Sequence, residues 1–298
     1  TNRRIHPAWI AAIVTFFTLV ATAGFRSAPS VLIIPLQDAF GWHRDQISLA
    51  IAINVLLYGL TAPFAAALME RFTVRKVVMG ALTTVSTGAF LTTLIHAPWQ
   101  LIATWGVIVG IGTGSMALVF AATVANRWFV KRRGLVIGGL TAAAAMGQLI
   151  FLPGLTHLSG MYGWKSIGVT IGAAALLMVP MIYLFLREKP ADLGMLPYGA
   201  PADWQAPAKP TMNAAKLAFV TLKEASAHRD FWILVGSFFV CGLSTSGLIG
   251  THFIPAAHDH GMGQVVAASL LALIGVFDVI GTLASGWLTD KYDPRKLL

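Results

Sequence analysis

Residues 264–289, QVVAASLLALIGVFDVIGTLASGWLT, run directly into Asp290-Lys291-Tyr292-Asp293-Pro294-Arg295-Lys296. The first stretch carries one charge, Asp278. It is longer than the ~20 residues that cross a hydrocarbon core about 30 Å thick. In lipid each backbone N–H and C=O needs an internal partner, so such a stretch is a helix. The cluster of charges behind it marks where the helix meets water.

The same pattern repeats toward the N-terminus. Apolar blocks at 9–36, 46–69, 76–95, 99–125, 134–157, 164–186 and 230–255 bring the expected spans to eight. The alternating segments of about 10 residues that build membrane barrels are absent. Of the 298 residues, 56% are hydrophobic and 11% charged, against about 25% charged in a soluble domain. The expected fold class is an all-α membrane protein. The net charge of +9 does not imply a nucleic-acid partner, because the basic residues sit in short clusters between apolar blocks. One cysteine, Cys241, excludes an internal disulfide and reads as a small packing residue. The first block is too long for a signal-peptide core, and Thr1 in place of an initiator Met suggests a partial sequence.

Eighteen of the 21 Lys and Arg residues fall on one side when the N-terminus is placed in the cytoplasm. Only Arg44 and Lys165 fall outside, and Arg26 lies within a span. That bias predicts an N-in topology. Residues 187–229 are rich in Pro, Ala and charge and read as a hydrophilic linker, with a short amphipathic surface helix over 214–227. The expected domains are a six-helix half at 1–186, the cytoplasmic linker at 187–229 and two further helices at 230–298.

An internal repeat supports this division. Glu70-Arg71-Phe72-Thr73-Val74-Arg75-Lys76 follows the second span, and the 290–296 segment follows the eighth. Both read acid, base, aromatic, two variable residues, then two basic residues, six spans apart. Repeated six-helix units are one transporter architecture. An acid at the end of one helix can pair with the N-terminus of a neighbour, so Glu70, Arg71, Arg75 and Lys76, and Gly286, Asp290, Lys291, Arg295 and Lys296, are candidate gate residues.

The repeat resembles the hallmark loop of the major facilitator superfamily, G-x-L-x-D-R/K followed by R-K or R-R. Gly286-Trp287-Leu288-Thr289-Asp290-Lys291 with Arg295-Lys296 fits it; the first copy departs, with Ala66 and Glu70 at the glycine and aspartate positions. Other segments resemble the branch of monocarboxylate transporters and oxalate/formate exchangers: Gly41-Trp42-His43-Arg44-Asp45-Gln46-Ile47-Ser48, Asn126-Arg127-Trp128-Phe129 with Arg132-Arg133-Gly134, Tyr162-Gly163-Trp164-Lys165, and Pro190-Ala191-Asp192-Leu193-Gly194 with Pro197-Tyr198-Gly199. The resemblance implies a bundle of twelve spans, of which this chain holds eight.

Arg26 and Asp278 are the two fixed charges well inside spans, and a charge at that depth is a site hypothesis by default. The resemblance implies that the first and eighth helices meet at a central cavity. Arg26 is then expected to hold a substrate carboxylate in its planar fork, with Asp278 as resting counter-ion and proton acceptor. The branch's helix-one lysine falls nearer Pro29, and its helix-eight arginine falls on neutral Thr282. Asn54, Tyr58, Gln148 and His252 are secondary substrate-binding candidates, followed by His157 and Thr245. His258, Asp259 and His260 lack a convincing ligand set, so no metal is expected. Pro29, Pro35 and Pro63 are expected to bend or end helices.

The expected function is secondary active transport of a small organic anion, proton-coupled or by exchange, in a bacterial inner membrane, by a monomer. No G-x-x-x-x-G-K-[ST] sequence occurs, so ATP is not expected to drive it. No cofactor and no enzymatic constellation is expected. Alternatives are an exporter of hydrophobic or cationic drugs and a non-transporting receptor or assembly subunit.

Overall fold

Each apolar block becomes a helix whose ends are set by local chemistry. The computed structural model describes residues 6–116, 118–201, 203–204 and 214–292. Helix α1, Pro7–Phe40, begins where the His6 side chain accepts from the Ala8 amide and Pro7 takes the first position. It ends at Gly41, whose φ of 67° suits a residue without Cβ. Helices α2 (Arg44–Arg71), α3 (Val74–Thr92), α4 (Pro98–Trp128), α5 (Arg133–Tyr162) and α6 (Lys165–Phe185) follow, joined by connections of a few residues. Helix α7, Ala214–Ser226, is the linker helix. Helices α8 (Arg229–Asp259) and α9 (Gln264–Thr289) complete the described chain.

Seven of these helices are long and apolar enough to cross a membrane. The expected span at 76–95 is a helix too, but α3 is less apolar, because it opens on Arg75 and Lys76 and carries Thr83, Thr84, Ser86 and Thr87. Pro29 and Pro35 do not end α1, which continues to Phe40; Pro63 likewise lies inside α2. Inside a bundle the freed backbone groups find other partners.

Short connections reverse the chain from α1 to α6 and between α8 and α9, so the bundle has an N-terminal end and a far end. Helix α5 packs against α1 on one side and α9 on another. Membrane helices gain little from hiding apolar surface and associate through close backbone approach. At Gly147 of α5 an added Cβ would run into Ala23 and the Val20 carbonyl of α1. Helix α8 is buried only through Thr251, Ile254 and Pro255 in its last turns, where it meets α1.

The start of the linker is docked on the first six helices. Tyr198 bridges to Phe129, with its amide donating to the Trp128 carbonyl at 2.8 Å and its carbonyl accepting from Val130 at 3.0 Å. His6, Trp9 and Phe129 surround the Tyr198 ring with centroids 5.6–5.8 Å away. Glu188 accepts from Arg127 and from the Val74 amide, so it closes the N-terminus of α3.

Candidate functional site

A cavity of about 270 Å³ opens among α1, α2, α4 and α5. Its walls are mostly apolar, with Leu19, Phe25, Met116 and Leu140 among them. Among the described residues, Arg26 is the one charged residue that lines it. The guanidinium carbon stands 5.6 Å from the centroid of the Tyr58 ring, a cation–π arrangement in which the phenol faces the same space. Arg26 is exposed to that space, and among the described residues no carboxylate pairs with it.

The remaining polar groups in the wall are Thr22, Thr113 and Thr141. Their hydroxyls donate to carbonyls of their own helices, those of Leu19, Gly110 and Ile137, at 3.1, 3.0 and 2.8 Å. Such back-bonding leaves only lone pairs for a guest. Donors toward the cavity therefore come from Arg26 and the Tyr58 hydroxyl. The site can hold one negative charge beside an apolar body.

The expected Arg26–Asp278 ion pair is not formed. Arg26 shares a cavity with residues of α2, α4 and α5, whereas Asp278 lies on an exposed face of α9 outside the cavity wall. Asn54 does not face the cavity either: its amide donates to the Trp105 carbonyl at 2.7 Å and ties α2 to α4. Gln148 is half-buried on α5 outside the wall, and His252 and His157 are exposed. Thr245 bonds to the Cys241 carbonyl of its own helix. Tyr58 is the secondary candidate that the fold brings to Arg26.

The two candidate gate segments differ. Both Asp290 carboxylate oxygens accept, at 2.8 Å, from the Gly134 and Leu135 amides that open α5. A carboxylate there satisfies orphan N–H groups and the positive end of the helix dipole. Gly286 and Gly134 let the two backbones touch: a Cβ on either would come within 2.6 Å of the other's carbonyl oxygen. Lys291 covers Trp287 at 4.0 Å; Arg295 and Lys296 lie outside the described residues. In the first copy Glu70 is exposed without a partner among the described residues, Arg71 rests on Phe72 and Arg75 on Tyr183 at 4.7 Å, and Lys76 has its amide capped by Thr73. The capping role there belongs to Glu188, which the sequence did not single out because Val74 is 114 residues away.

Replacing Asp290 with Ala should cost the N-terminus of α5 about 0.5–2 kcal/mol. Hydrogen exchange at the Gly134 and Leu135 amides should then accelerate about two- to thirtyfold; unchanged protection would show that other groups hold this end.

Long apolar helices, packed through small residues around a cavity with one cation, define a polytopic α-helical membrane protein. The Major Facilitator Superfamily model matches residues 14–298. The chain belongs to that superfamily. Among curated relatives, the uncharacterized MFS-type transporter YcxA of Bacillus subtilis is 26% identical over 97% of this chain and 67% of its own length. Monocarboxylate transporter 11 of Mus musculus is 26% identical over 95% of this chain and 59% of its own. A solved D-xylose-proton symporter superposes with a TM-score of 0.66 at 14% identity, covering 96% of this chain and 70% of that one. The chain therefore spans about three-fifths to two-thirds of the length of these curated relatives. The family and these neighbours are transporters, not enzymes.

Proposed function

We propose that the complete protein is a secondary active transporter of a small, monocarboxylate-like organic anion, working by alternating access with proton coupling or anion exchange. The observation that carries this is Arg26: a lone guanidinium beside Tyr58 in an otherwise apolar cavity. A carboxylate matches its planar fork, and the apolar walls suit a short carbon body. Several relatives are monocarboxylate transporters, numbers 11 and 7 among them, which agrees with that substrate class. A cation exporter needs an acid where the guest sits, and among the described residues the cavity wall holds none.

The proposed unit is a monomer in a bacterial plasma membrane with the N-terminal end cytoplasmic, as the Lys/Arg bias favours. Residues 1–186 form its first half, 187–229 the connection and 230–298 the start of the second half. Asp278, the second intramembrane charge, is proposed as the proton-exchanging group. Uptake of small carboxylates into vesicles holding the complete protein, with and without a pH gradient, tests the reading; failure to carry any of them would end it. Asp278→Asn should abolish stimulation by the pH gradient while anion exchange persists, and an intact pH response would remove Asp278 from the coupling.

A further inference from the structure

The far end of the bundle carries a charge pair that neither the gate motif nor the cavity includes. Arg44, the first residue of α2, meets Asp259, the last residue of α8, 215 residues further along the chain. The contact is bidentate: Nη1 donates to Oδ2 at 2.6 Å and Nη2 to Oδ1 at 2.7 Å. The third guanidinium N–H, on Nε, donates to the Gln37 side-chain oxygen of α1 at 3.0 Å. Gln37 thereby aims the fork, and α1, α2 and α8 are joined at one point. Just below it, α8 buries Thr251, Ile254 and Pro255, and α1 lies against this part of the helix.

At the opposite end of the bundle Asp290 holds the amides of α5. The first half is thus tied to the second at both ends at once, with the Arg26 cavity at mid-height. A carrier that alternates cannot keep both ties; each must open in turn. We propose that Arg44–Asp259 is the far-end gate latch of this protein, the counterpart of the Asp290 tie, and that Gln37 is its positioning residue. This inference rests on the transport reading but not on the identity of the cargo.

The exposure of the pair fits a latch. The two side chains are 42% and 45% exposed, and an exposed ion pair shifts an equilibrium only about two- to fivefold. That is enough to bias a gate and too little to lock it. Solvent access also makes the bias sensitive to salt.

The test uses the complete carrier with every native cysteine, Cys241 among them, replaced by Ala, so that Ala144→Cys in the cavity wall is the one reporter thiol. A membrane-impermeant maleimide is added on the side that the far end faces, with no substrate present. Asp259→Asn should label about two- to fivefold faster than the parent. The exchanged pair Arg44→Asp with Asp259→Arg should return to the parent rate, which also separates a lost latch from a misfolded chain. Raising the salt concentration should bring the parent toward the Asn variant. An unchanged rate in Asp259→Asn, or an exchanged pair that labels as fast as the single variant, would overturn the latch. Because labelling is read without cargo, a carrier that proves not to move carboxylates leaves this result standing, and the reverse also holds.

Discussion

Arg26→Gln should lower carboxylate uptake by the complete carrier about 30-fold or more. The removed group is the one cation in the cavity wall among the described residues. Truncating one partner of a desolvated, hydrogen-bonded charge pair costs about 2–5 kcal/mol, and each 1.4 kcal/mol is about tenfold. Glutamine keeps length and two donors but loses the charge and the fork. Lysine keeps the charge alone, so Arg26→Lys should fall between the two, since a point charge does not reproduce bidentate geometry. Tyr58, at 5.6 Å from the guanidinium, should matter less, because a cation–π contact is worth about 0.5–2 kcal/mol. Initial uptake rates over a range of substrate concentrations check the order. Normal uptake by the Gln variant would leave the anion reading without its central residue.

Gly286→Val should stop the N-terminal end from closing. A Cβ at this position would sit 2.6 Å from the Gly134 carbonyl oxygen and 3.0 Å from the Gly138 Cα. Both are backbone atoms of α5, and neither can swing aside as a side chain would. Overpacking costs about 1–3 kcal/mol. As the helices part, Asp290 also leaves the Gly134 and Leu135 amides, at about 0.5–2 kcal/mol. Together these amount to a shift of about tenfold to several-thousandfold toward the arrangement open at that end. The expected result is a protein that inserts and folds but does not turn over. Its cavity thiol at position 144 should label faster from the side that the N-terminal end faces, the opposite polarity to Asp259→Asn. Wild-type turnover in Gly286→Val would show that α5 and α9 need not meet.

Much of this architecture was legible in the sequence. The apolar blocks foretold the eight long helices to within a few residues, because only a helix satisfies its own backbone in lipid. The charged segment after residue 289 pointed to Asp290, and the structure shows it on the end of α5. The amphipathic stretch in the linker is helical over Ala214–Ser226.

The company each residue keeps was another matter. Asn54 has its amide engaged by Trp105, 51 residues away. Glu188, Arg44 and Asp259 find partners 114 and 215 residues distant, and no local pattern marks such a pair. Arg26 faces Tyr58 rather than Asp278.

The sequence by itself determined the membrane class, the helices and their ends, the superfamily resemblance and the presence of two intramembrane charges. The tertiary structure decided which way each helix is turned about its axis, and so which charge lines the cavity and which carboxylate caps a neighbouring helix. The physical reason is that a membrane helix is apolar on nearly every face. Its composition fixes that it spans, while its rotation is set by where small residues let a neighbour's backbone approach.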